Sequence, residues 1–176
     1  MDKILEYFIK EPEKEFHVRQ LSKLLKRSPT SISKYLKEHE HAGVLKSEKK
    51  FNHLFFRANP DSKKFRLLKL SYNLNLLEDS GVISEIVDKF NEPEAIVLFG
   101  SLAKSEDIPQ SDIDLLIISP LKKDINLEKF EKKVGHKIQV FVHSKQEIEK
   151  MRDKSKELLN NFINGIVIYG FWEVFK

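Results

Sequence analysis

The sequence predicts an α+β / α/β protein in two parts: a basic, mostly helical N-terminal unit closed by a hairpin, and a C-terminal mixed sheet with flanking helices. Three observations predict it. Through Ser80 the chain carries 17 Lys and Arg against 11 Asp and Glu, whereas from Gly81 onward it carries 14 against 16, which marks a module that meets a polyanion joined to a nearly neutral one. Apolar residues recur at helical spacing in the first half, while the second half interleaves helical stretches with short runs of Ile, Val and Leu. A length of 176 residues with 40% hydrophobic content is enough for two compact cores.

From the N-terminus, Ile4, Leu5, Phe8 and Ile9 repeat at helical spacing until Pro12. An extended stretch around Phe16 to Val18 leads into a second helix with Leu21, Leu24 and Leu25 on one face. Ser28-Pro29-Thr30-Ser31-Ile32-Ser33 is a turn running into a third helix, with Pro early and small hydroxyl residues in the first turn. That helix buries Ile32, Tyr35 and Leu36, leaves Thr30, Ser31, Ser33, Lys34 and Lys37 to solvent, and stops at Gly43. Val44 to Arg57 then reads as two strands joined by a charged, turn-forming tip. Three helices followed by a basic hairpin resemble a winged helix-turn-helix, similar to small bacterial and archaeal transcription regulators, over residues 1–60. The resemblance implies double-stranded DNA as partner, met by Thr30, Ser31, Ser33, Lys34 and Lys37 of the helix and by Lys49, Lys50 and His53 of the wing. A winged helix used only for protein contacts is the alternative.

Residues 61–80 are dense in apolar side chains, with Phe65, Leu67, Leu68, Leu70, Tyr72, Leu74, Leu76 and Leu77. A solvated linker does not need them, so the segment is a connecting helix that packs on one or both units or pairs with a second copy. A homodimer is expected, since a two-fold operator asks for one; the same leucines could instead cap an intramolecular core.

The second domain spans 81–176. A helix over Gly81 to Phe90 precedes the run Ile96-Val97-Leu98-Phe99, which Gly100 and Ser101 end. Ser111-Asp112-Ile113-Asp114 opens the next run. Because a strand alternates its faces, Asp112 and Asp114 project from one side and can hold hard cations, while a helix starting near Gly100 offers its first N–H groups to phosphate oxygens. The plainer alternative is that two carboxylates blunt the end of a strand. Beyond them come a helix over Leu127 to Val134, a strand over Lys137 to Val142, a helix through Leu158, Leu159, Phe162 and Ile163, and a last run, Ile166 to Gly170.

Gly100-Ser101-x-Ala103-Lys104, six residues, then Ser111-Asp112-x-Asp114 resembles the signature of the DNA polymerase β-like nucleotidyltransferase superfamily, in its minimal branch. Lys104 stands where that pattern has Arg, and Ser105 where it has Gly, the latter placing a side chain in a tight loop. The resemblance implies a mixed sheet, nucleotide contacts at Gly100, Ser101, Lys104 and Ser111, and Mg2+ or Mn2+ held by Asp112 and Asp114. It also implies a nucleoside triphosphate, ATP first, as substrate, and transfer of its monophosphate to an acceptor hydroxyl. Minimal members often act beside a toxin, so a toxin-type partner chain is a further expectation. The family's third carboxylate sits on a later strand, where this chain has Gln139. Glutamine offers a metal a neutral carbonyl and is a poor proton acceptor; Glu94, Asp124 and Glu128 are the nearest carboxylates that could substitute. Two functions therefore compete: a transferase, and a transcription regulator whose transferase-like domain is inactive and serves nucleotide sensing or dimerisation.

Other features narrow the class. The chain has no cysteine, so disulfides and thiolate zinc sites are excluded. No apolar stretch approaches the roughly 20 residues that span a bilayer, and the N-terminus lacks the apolar core of a signal peptide, so a cytoplasmic protein is expected. His39 and His41, two apart on a helix, face different ways and do not share a metal, while His136 and His143 flank the Gln139 strand as edge or loop residues.

Overall fold

Asp2 starts the first helix: its carboxylate accepts from the Ile4 amide at 2.9 Å, satisfying one of the first-turn N–H groups, and α1 (Lys3–Lys10) follows with Ile4, Leu5, Phe8 and Ile9 buried. The structure, a computed structural model, describes residues 2–173, and the chain divides into two units between Tyr72 and Asn73. In the first unit β1 (Phe16–His17) leads into α2 (Val18–Leu25), whose N-cap is the His17 ring. Ser28 caps α3 (Pro29–His41), with Pro29 at its first position. β2 (Leu45–Lys50) and β3 (His53–Ala58) form an antiparallel hairpin, and β1 pairs with the other side of β3.

Phe8, Phe16, Leu21, Ile32, Leu36 and Phe56 form the centre of this unit's core, with Phe8 edge-on to Phe16. Two expectations are corrected. Leu24 is 51% exposed rather than buried, because Val18, Leu21 and Leu25 set the packed stripe of α2 and Leu24 lies about a quarter turn away from its centre. The hairpin tip is not charged. Phe51 and Asn52 make it, both with positive φ (49° and 59°), as a two-residue turn between twisted strands requires, and the lysines lie behind it on β2.

α4 (Lys63–Ser80) contributes to both units. Phe65, Leu68 and Tyr72 pack in the first core, and Leu74, Leu76 and Leu77 in the second. No single apolar face runs its whole length, since its two halves serve different cores.

The second unit continues with α5 (Val82–Lys89), β4 (Ala95–Phe99), α6 (Gly100–Lys104), β5 (Ile113–Ile118), α7 (Glu128–Val134), β6 (Ile138–His143), α8 (Lys145–Lys154), α9 (Lys156–Ile163) and β7 (Ile166–Gly170). The sheet runs β6-β5-β4-β7, with β5 and β6 parallel and β4 antiparallel to both β5 and β7. Helices cover both faces of the middle strands. Ile96, Leu98, Leu115 and Ile117 join Ile86, Phe90 and Phe130 on one side, while Val97, Phe99, Leu116 and Ile118 meet Ile148, Leu159 and Phe162 on the other. Double coverage explains why these strands read as unbroken apolar runs. α8 is absent from the sequence expectation because only Ile148 of its ten residues is buried. Its signal is the capping box of Ser144 and Glu147, each bonding the other's backbone amide.

Candidate active site

The antiparallel register of β4 and β5 sets Phe99 opposite Asp114, so Gly100, the residue after β4, stands beside the Asp114 carboxylate. Gly100 has φ +73°, and a Cβ on it would strike the carboxyl of Asp114. Glycine is needed here for its backbone and for its emptiness. Gly100→Ala is expected to cost about 2 kcal/mol of stability from the two effects together and to displace the carboxylate; thermal unfolding reads the first, and an unchanged melting temperature would show that the approach is not tight. α6 is anchored by buried Leu102 and ends at Ser105, which adopts the left-handed conformation (φ 60°). A serine therefore occupies a backbone position suited to glycine.

Ile113 points into the core, which puts Asp112 and Asp114 together on the opposite face of β5. Both are half-buried. Burial, and then the neighbouring Asp112 charge, hold the Asp114 carboxyl above the usual carboxylate range. Two like charges without a cation beside them favour a proton on one, or a metal between them.

Gln139 joins this pair. β6 lies parallel to β5 with Gln139 in register with Asp114, and the Gln139 Nε2 donates to Asp112 Oδ2 at 2.6 Å. Residues far apart in the chain thus converge at one end of three adjacent strands. Rotating the Gln139 amide would present its carbonyl instead, giving an oxygen-only donor set that fits a hard cation such as Mg2+ or Mn2+. The other carboxylates stay away. Glu94 precedes β4 at the opposite end, where Ala95 pairs with Ile118, and is ion-paired to Lys145. Asp124 follows β5 at that same far end, and Glu128 opens α7, where its amide donates to Asn126. Among the described residues, no group of three His, Cys, Asp or Glu could hold a metal ion.

The remaining positions have local duties. The Ser111 hydroxyl accepts from the Ile108 amide at 2.9 Å, and its carbonyl accepts from His136 Nδ1 at 2.8 Å, so Ser111 closes the loop before β5 and His136 is satisfied. Lys104 is exposed at the end of α6. Sequence reasoning missed one support of that loop: buried Asp107 accepts from Asn73 Nδ2 at 2.9 Å. Nothing in the spacing of a lone Asn and Asp announces it.

In the first unit, Thr30, Ser31, Lys34 and Lys37 are exposed along α3 and Ser33 is half-buried. Ser31 is tied to Ser28 through their hydroxyls at 2.9 Å. On the hairpin, Lys49 is exposed, whereas Lys50 is ion-paired to Glu15 at 2.7 Å and Glu48 at 3.3 Å, so its charge is answered within the unit. His53 is exposed and stacks on His17.

Residues 81–165 match the family model of a nucleotidyltransferase domain. No curated protein is similar enough to match the chain. Among the described residues, no helix is long and apolar enough to cross a membrane.

Proposed function

We propose, from the nucleotidyltransferase domain at residues 81–165, that the chain transfers a nucleoside monophosphate from a triphosphate, ATP first, to an acceptor hydroxyl, and that its N-terminal unit binds double-stranded DNA. The observation that carries the first half is the convergence of Gly100, Asp112 and Asp114 at one strand end. Gly100 and Ser101 receive the triphosphate through backbone N–H groups and the Ser101 hydroxyl, with Lys104 adding positive charge beside it. Asp112 and Asp114 would hold Mg2+ or Mn2+, and Gln139 could add its carbonyl. The bound ion supplies charge stabilisation to the reacting phosphate. As the acceptor oxygen bonds to the α-phosphorus, the bond to the bridging oxygen breaks and pyrophosphate leaves, while the acceptor's proton passes to solvent because Gln139 stands where a third carboxylate would take it.

The hydrogen bond from Gln139 to Asp112 favours a second reading, in which the domain binds a triphosphate without turning it over and the protein is a nucleotide-sensing regulator. Calorimetric titration of each triphosphate, with and without magnesium, together with labelled-nucleotide transfer, separates the two. Magnesium-dependent binding with transfer supports the enzyme, and binding without transfer supports the sensor. No binding to any triphosphate overturns both.

Support for the DNA half is the order α1-β1-α2-α3-β2-β3, the net positive charge of the first 80 residues, and the exposed polar and basic face of α3. That order is consistent with the winged helix-turn-helix reading, in which α3 would be the recognition helix. Lys34→Ala with Lys37→Ala is expected to weaken duplex binding about tenfold and to reduce the salt slope by about 2. Equal affinity and slope in the double variant would remove α3 from the interface. A homodimer suits a two-fold operator, and a chain without cysteine accords with a cytoplasmic location.

A further inference from the structure

We propose that Phe51 is an aromatic wedge that enters a base step of double-stranded DNA from the minor groove. The proposal rests on the DNA-binding reading above and assigns the tip of the hairpin a function of its own. Phe51 is 93% exposed, so it serves no core. Its φ of +49°, followed by Asn52 at +59°, is a turn geometry that suits Asn and Gly and strains a bulky side chain. An aromatic ring at this position is unfavourable both for the turn and for its hydration, and an outlier of that kind points to a contact made elsewhere.

The surroundings name the partner. Lys49 is exposed two residues before Phe51, and its cross-strand neighbour Leu54 is 37% exposed. His53, opposite Lys50, is exposed as well. The two-residue turn presents a single planar ring at its end, and one such ring, rather than the whole hairpin, is what a minor groove about 6 Å wide can admit. Apolar side chains inserted at pyrimidine–purine steps unstack them, while basic neighbours hold the flanking phosphates. A lipid surface is less well served by one ring and one leucine on a hairpin that also exposes Glu48.

The test uses the full chain and a mixed-sequence duplex rich in TA and CA steps, carrying the fluorescent base 2-aminopurine beside a TA step. Binding of the wild-type protein is expected to raise the fluorescence as the step unstacks. Phe51→Gly is expected to bind about tenfold more weakly, as loss of one base–aromatic stack predicts, with no fluorescence rise. Its melting temperature is expected to stay level or increase, because glycine relieves the turn. Phe51→Trp is expected to keep affinity and fluorescence. A wild-type protein that binds without a fluorescence change, with Phe51→Gly matching its affinity, would overturn the wedge and leave the DNA reading intact. Failure of the wild-type protein to bind the duplex at low salt overturns both. Binding to anionic lipid vesicles that is lost in Phe51→Gly, with duplex binding unchanged, assigns the tip to a membrane surface and overturns the wedge.

Discussion

Asp112→Asn together with Asp114→Asn is expected to abolish magnesium-dependent triphosphate binding and to lower any transfer by about a thousandfold or more, because it removes all the charge proposed to hold the ion. The protein should nonetheless remain folded. Asp114 is raised in the folded chain by burial and by Asp112, so its share of stability is greatest below the ordinary carboxylate range and is lost as pH rises through the raised value. Asparagine removes that loss, and the melting temperature at neutral pH should be equal or higher. Calorimetry, transfer assays and thermal unfolding measure the three quantities. Unchanged magnesium-dependent binding would mean that the ion sits elsewhere.

Gln139→Asp is the second large effect. The substitution deletes the hydrogen bond to Asp112 and adds a third carboxylate on the strand in register with Asp114. In chelator, three like charges at one strand end should lower stability by about 1 kcal/mol. With magnesium the same charges become ligands, so ion affinity should rise about tenfold or more and the melting temperature should recover. Transfer should increase by at least a similar factor if turnover is limited by the missing charge and proton acceptor. The crossover between chelator and magnesium distinguishes a metal site from simple repulsion. A variant that is destabilised in both conditions would show that residue 139 lies beyond the reach of the ion.

The parts of the candidate site are legible in the sequence because they are punctuated. An apolar run ending in Gly100, and a second opening with two carboxylates two residues apart, give two strand ends and one shared face through period, while the fold is what the resemblance implies. The identity of residue 139 could also be read, but the direction of its amide could not: the bond to Asp112 depends on the parallel pairing of β5 and β6, a contact between residues 27 apart in the chain. α8 escaped because charged residues dominate it and periodicity had little to act on, although its capping box was in plain view. Leu24 misled for the opposite reason, since two turns of helix carry too few apolar positions to locate the centre of their stripe. A charged tip is the expectation for a segment this rich in lysine, but the pairing of Lys50 with His53 leaves Phe51 and Asn52 to make the turn.

The division of α4 between two cores has a practical corollary for dissection. A fragment ending near residue 60 would leave Phe65, Leu68 and Tyr72 behind and expose the side chains they cover. One beginning near residue 81 would do the same to the second core by losing Leu74, Leu76 and Leu77. Cleavage near either end of this helix should therefore yield insoluble pieces, whereas a cut between Tyr72 and Asn73 leaves each core the half-helix that closes it, and autonomous halves are to be sought there.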